Sequence, residues 1–228
     1  MKKNTVTTLY MLLTVLFTSC LLISNIVANK LIQFGPWSLT AAVIIFPLSY
    51  ILGDVIAEVY GFRAARRTMW LGFAMNSLMV ILFTIVSWLP VPVWFEHGAA
   101  YSTVLGNTPR LFAASMLAYI IGSWINAVTL SKLKVKSNGK GFGFRAIVST
   151  FFGEFVDSLI FVPVAFFGNM PFEELLKMMA LQITFKTVYE IIILPVTSIV
   201  VKKVKKVDGI DVIDRNESYN LFGRGGTK

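Results

Sequence analysis

The sequence predicts an all-α membrane protein of six transmembrane helices, arranged as a 3+3 inverted repeat with both termini cytoplasmic. Three observations carry that expectation. Apolar runs near twenty residues recur along the chain, the length that crosses a ~30 Å hydrocarbon layer. The composition is 56% hydrophobic with a mean hydropathy of +0.71, too apolar for a soluble domain of this size. Basic residues gather in alternate loops, the pattern that fixes orientation in a bilayer. The net charge of +9 is therefore a topology signal, and its placement argues against a nucleic-acid surface.

The first run, about residues 9–31, follows Lys2 and Lys3. It is too long for a signal-peptide core and no small-residue cleavage site follows it, so it reads as a first span. Asn25 and Asn29 share a face near its polar end, as candidate cavity-lining residues or an interfacial helix end with Lys30 snorkelling. A short turn at Gly35-Pro36-Trp37 leads into span two, about 39–60, where Pro47 favours a kink. Arg63, Arg66 and Arg67 form a tight basic loop before span three, about 68–89.

Residues 90–109 form the longest loop, with Trp88, Trp94, Phe95 and Tyr101 as interfacial anchors. Thr108 before Pro109 suits the start of a helix, and span four runs from about 110 to 130. The basic glycine-rich loop from Lys132 to Arg145 precedes span five, about 146–167. Glu173 and Glu174 fit the first turn of the last helix, where its dipole favours acids. Span six covers about 175–201. Residues 1–206 thus form one transmembrane domain, and the polar residues 207–228 are expected as a disordered cytoplasmic tail. Every Lys and Arg except Lys30, Arg110, Lys177 and Lys186 falls on the side of the N-terminus.

Chemistry concentrates where charge interrupts these runs. Asp54 and Glu58, four apart in span two, share a helical face. A carboxylate at the centre of a membrane helix costs roughly 2.5–3.5 kcal/mol on insertion scales, so two on one face point to a cavity. Glu58, near Tyr60-Gly61, is equally readable as a solvated helix end. Span five carries a partial echo: Ser49 and Gly53-Asp54 match Ser149 and Gly153-Glu154 in spacing, as an inverted repeat would leave. Glu154, Asp157 and Glu190 add further acids within spans, against Lys186 in span six and Arg110 at the start of span four. Lys186 and Glu190 are spaced for an ion pair on one helix, with Gln182 extending the stripe. Phe46, Tyr50 and Phe161 are candidate stacking rings, although aromatics at helical spacing are commonly packing residues.

One cysteine and one histidine, Cys20 and His97, leave no disulfide framework, metal site or Cys-His pair. No cofactor is expected. His97 lies in a loop, so neither serine nor cysteine catalysis has a base. An intramembrane aspartyl protease using Asp54 and Asp157 would need a Gly-x-Gly-Asp pattern, but Ile51-Leu52 precede Gly53-Asp54.

These residues resemble the VUT/YhhQ family of queuosine precursor transporters. The resemblance rests on Phe46-Pro47, Gly53-Asp54, Tyr60-Gly61 and Ala65-Arg66-Arg67. It continues through Arg110, Ser115, Ala118-Tyr119, Gly122, Ser149-Thr150, Gly153, Asp157, Phe185-Lys186 and Pro195. It implies a multipass bacterial inner-membrane transporter, not an enzyme, that imports 7-cyano-7-deazaguanine or a related deazapurine for salvage into tRNA modification. Asp54, Asp157 and Lys186 would then bind substrate or couple its movement, with Glu154, Glu58, Glu190, Arg110, Asn29, Tyr50, Phe46, Ser149, Thr150 and Phe161 around them. The partners expected are the base, membrane lipid and protons, with a homodimer left open. The alternative is the substrate-binding membrane subunit of an energy-coupling-factor vitamin transporter.

Overall fold

The computed structural model describes residues 6–28, 30–34, 37–105, 109–168 and 171–223. Among the described residues seven α-helices follow one another: α1 (Thr8–Val27), α2 (Phe46–Tyr60), α3 (Phe62–Trp88), α4 (Gly98–Leu105), α5 (Pro109–Lys136), α6 (Phe142–Phe166) and α7 (Phe172–Asp208). Their apolar composition makes them helices in lipid, where each backbone group must be bonded within its own segment. Among the described residues, α1, α3, α5, α6 and α7 are long and apolar enough to cross a membrane. Rows of exposed apolar side chains mark their lipid-facing sides, such as Leu78, Ile81, Leu82 and Ile85 on α3 and Ile191, Ile192, Val196 and Ile199 on α7. This is a multi-pass membrane protein.

The second predicted span differs from expectation. Its helical part, α2, has 15 residues and is ~22 Å long, short of a hydrocarbon layer. Before it, strands β1 (Leu31–Phe34) and β2 (Trp37–Thr40) pair antiparallel, Leu31 opposite Thr40 and Phe34 opposite Trp37. A 3-10 turn, Ala41–Ile44, joins β2 to α2. Pro47 stands in the first turn of α2, where its missing N–H costs nothing. It therefore begins the helix instead of kinking it. The expected turn at Gly35-Pro36 and the helix start at Thr108 lie outside the described residues.

Three clusters make the core among the described residues, one of them Val162, Leu175 and Met178 between α6 and α7. Leu13, Val55, Ile56, Val59, Phe62 and Leu130 pack at the end of the bundle that carries the basic loops. Phe17, Leu21, Met69 and Tyr119 pack beside them. Helices α5 and α6 meet backbone to backbone at two glycines. A Cβ on Gly122 would lie 3.0 Å from the Gly153 carbonyl oxygen, and one on Gly153 would lie 3.0 Å from that of Gly122. Such an approach is open only to residues without a side chain.

Residues 209–223 are not the free tail their polarity predicts. They run as a strap across the basic end. The Asp214 carboxylate accepts from the Phe62 amide at 2.8 Å, capping α3, and from the Ser131 hydroxyl at 2.6 Å. The Trp124 and Trp70 indoles donate to the carbonyls of Tyr219 and Leu221, each at 3.0 Å. Arg63 meets Glu217 at 2.9 Å. Gly61, at φ +83°, passes directly beneath Val212 and Asp214, a conformation and a clearance that both require glycine.

Candidate functional site: a lysine held between two acids

A pocket of about 60 Å³ opens at the hairpin end of the bundle. Ser24 and Asn25 of α1, Thr40 of β2, Val43 of the 3-10 turn and Phe46 of α2 line one side. Ser115 of α5, Asp157 and Phe161 of α6, and Gln182 and Lys186 of α7 line the other. The volume is small beside the ~300–1,000 Å³ of ligand pockets, so a base-sized ligand requires the mouth to widen.

Lys186 anchors the wall. Its Nζ donates to Glu154 at 2.5 Å and to Asp157 at 3.4 Å, and lies 4.4 Å from the centre of the Phe46 ring. A cation over an aromatic face is attracted by the ring quadrupole. Lys186 is therefore not paired with Glu190, as spacing along one helix predicts. Its long stem reaches α6, where two carboxylates offer more than one neighbour on its own helix. Asn25 accepts from the Ser115 hydroxyl at 3.1 Å, tying α1 to α5 at the pocket. Tyr50 is buried, its ring tilted by 49° against that of Phe46 at 5.4 Å between centres.

The other predicted residues divide among three places. Asp54 is fully buried outside the pocket lining and accepts from the Asn126 amide at 2.6 Å. Glu190 and Thr150 are buried, Glu190 with Oε1 lacking a partner among the described residues. The echoed serines behave alike: Ser49 donates to the Phe46 carbonyl at 2.6 Å and Ser149 to that of Ala146 at 2.9 Å. Each satisfies itself on its own helix, three residues back, and neither lines the pocket.

Glu58 is not a solvated helix end. It is fully buried at the basic end, gripped by Arg145 at 2.7 and 3.1 Å and by Lys205 at 2.7 Å, with Lys134 at 3.7 Å. Lys134 also donates to the Glu58 carbonyl, to Asp211 and to the Val212 carbonyl. Arg110 lies elsewhere again. Its guanidinium is exposed and donates to the carbonyls of Val164 and Phe167, both at 2.6 Å, closing the end of α6 as a cation at a helix C-terminus does. Asn29 lies outside the described residues.

The residues that sequence reasoning missed are partners. Asn126 is a lone amide in an apolar span, which was the available signal. Arg145 and Lys134 read as loop charges until the folded chain turns them inward. No hydrogen bond joins Asp54 to Asp157 among the described residues, since each has a partner of its own.

The family model described as putative vitamin uptake transporter matches residues 40–200. The chain belongs to that family. A Bacillus subtilis (strain 168) protein named "Probable queuosine precursor transporter" is 26% identical over 155 residues. The match covers 65% of this chain and 65% of that relative's length. No solved structure matches the chain. The family segment contains Phe46, Asp54, Asp157, Lys186 and Glu190. It leaves out α1, strand β1, most of β2, the last turns of α7 and the strap.

Proposed function

We propose that the chain imports a queuosine precursor, 7-cyano-7-deazaguanine or a related deazapurine base, across a bacterial inner membrane. The observation that carries this reading is the Lys186–Asp157 wall of the pocket, with Phe46 beneath the lysine and Phe161 and Gln182 beside it. A deazaguanine is neutral and flat. One edge offers a ring N–H beside an exocyclic amine, and a carbonyl oxygen lies next to them.

Asp157 accepts from the donor edge, Lys186 donates to the carbonyl, and Gln182 has both capacities. Charge-assisted bonds of this kind are the stronger ones. Phe46 or Phe161 supplies a stacking face, which any base accepts. Glu154 holds Lys186 in place when Asp157 turns to the ligand. Family membership and the name of the Bacillus relative support the same substrate class.

The test is direct binding of deazapurines and purines to the purified chain. Asp157→Asn should weaken binding of the deazaguanine by roughly thirty-fold or more, since truncating one partner of a buried charged pair costs ~2–5 kcal/mol. A purine without the exocyclic amine should compete poorly. Uptake into vesicles holding this chain alone separates a transporter from the binding subunit of an energy-coupling complex, which would need its ATPase partners.

A further inference from the structure

Asp54 sits one helical turn from Tyr50 on α2, away from the pocket, and its surroundings suit a smaller ligand than a base. We propose that Asp54, together with Glu190, holds a proton that the chain exchanges between the two sides of the membrane, so that uptake is proton-coupled. The inference rests on the transport reading above and assigns a second site to the same cycle.

The charges in the bundle carry the argument. Asp54, Glu154, Asp157 and Glu190 are all buried. Lys186 reaches Glu154 and Asp157, while Arg145, Lys134 and Lys205 are committed to Glu58. No ion pair reaches Asp54 or Glu190 among the described residues. An ionised carboxylate without a counter-charge in an apolar interior is far costlier than a protonated one.

Hydrogen bonding points the same way. Asp54 Oδ1 accepts from Asn126, while its Oδ2 has no donor. Asn126 Oδ1 and Glu190 Oε1 are likewise buried without partners among the described residues. The Thr150 and Tyr50 hydroxyls can donate as well as accept, whereas an amide oxygen only accepts, so an O–H at Asp54 or Glu190 would add a donor that the Asn126 oxygen lacks. Among the described residues no three acidic, histidine or cysteine side chains converge to hold a metal ion.

A second cavity of about 30 Å³ lies against Ser49, Tyr50, Thr68, Ser123 and Asn126. Phe17, Met69 and two alanines also line it, and its volume is above the ~10–15 Å³ that one water needs. A Cβ placed on Gly122 would be 3.0 Å from both Tyr50 Oη and Asp157 Cβ, so the tyrosine hydroxyl stands beside the acid that faces the substrate. The groups around Asp54 are Asn126 from α5, Thr150 from α6, Glu190 from α7, and Glu58 with its cations along α2. The proton joins a carboxylate oxygen from water on one side and returns to water on the other, and no bond besides O–H forms or breaks.

Two measurements test this. Infrared spectroscopy of the purified chain at neutral pH, without any base, should show a carboxylic-acid C=O stretch that Asp54→Asn or Glu190→Gln removes. In vesicles, an inward proton gradient should accumulate the deazaguanine by about tenfold per pH unit for one proton per base. Asp54→Asn should keep exchange of labelled for unlabelled base while losing that accumulation. The proposal is overturned if no protonated carboxyl is found, if Asp54→Asn accumulates like the parent, or if a sodium gradient replaces the proton gradient. Failure of exchange in the parent itself would instead strike the transport reading, leaving the infrared result to decide the proton site.

Discussion

Glu58 and Lys186 are mirror cases of one residue-scale problem, a charge placed where water is absent. Glu58 is matched by Arg145 in a two-pronged grip and by Lys205 at 2.7 Å. Neutralising it by Glu58→Gln leaves Arg145 buried without a counter-charge. Breaking a buried pair in this way costs ~3–5 kcal/mol, so the variant should show a sharply lower melting temperature in detergent. An unchanged melting temperature would mean that water reaches the cluster. The odd charges themselves were readable in the sequence, because Asp54, Asp157 and Lys186 interrupt apolar runs. Their partners were not. Spacing along one helix reports only neighbours on that helix, so it offered Glu190 to Lys186, whereas the pairing that forms crosses to α6. In the same way Arg145 counted as a loop charge because nothing local shows that its side chain turns inward.

At the scale of elements, the echo between Gly53 and Gly153 hides different packing. A Cβ on Gly153 would come within 2.9 Å of Asn126 Cβ and 3.0 Å of the Gly122 oxygen, while one on Gly53 would touch only a Phe17 ring carbon at 3.5 Å. Gly153→Ala should therefore cost about 1–3 kcal/mol through overpacking, and Gly53→Ala little, as read by thermal unfolding of the two variants side by side. The helices were legible from apolar run length. The two strands were not, because Leu31 reads as the end of span one and Leu39 and Thr40 as the start of span two. The strap was missed because composition describes a polar segment as solvated, without showing that Asp211, Asp214 and Glu217 meet bases and a free helix end. Burial alone would raise the Asp211 carboxyl, but Lys134 and Lys205 hold it below its ordinary value. A depressed acid stabilises docking above its unfolded value, and that contribution is lost as pH falls through the folded one. Protease cleavage within residues 209–223 should thus accelerate below about pH 4, and Asp211→Asn should cleave faster at neutral pH.

For the whole molecule, the basic end is expected to face the cytoplasm, since Arg63, Arg66, Arg67, Lys132, Lys134, Lys136 and the last basic run of α7 all gather there. The six-crossing topology requires α2 and its 3-10 turn to complete one crossing beside the five long helices; reporters fused after Gly98 and after Gly139 should then report opposite sides of the membrane, and the same side for both would remove it. The central claim is that Asp157 and Lys186 recognise a deazaguanine. Its most direct test is equilibrium binding of 7-cyano-7-deazaguanine to the purified chain, compared with its Asp157→Asn and Lys186→Met variants. Binding should fall by roughly thirty-fold or more in each folded variant; affinity equal to the parent in both would contradict it.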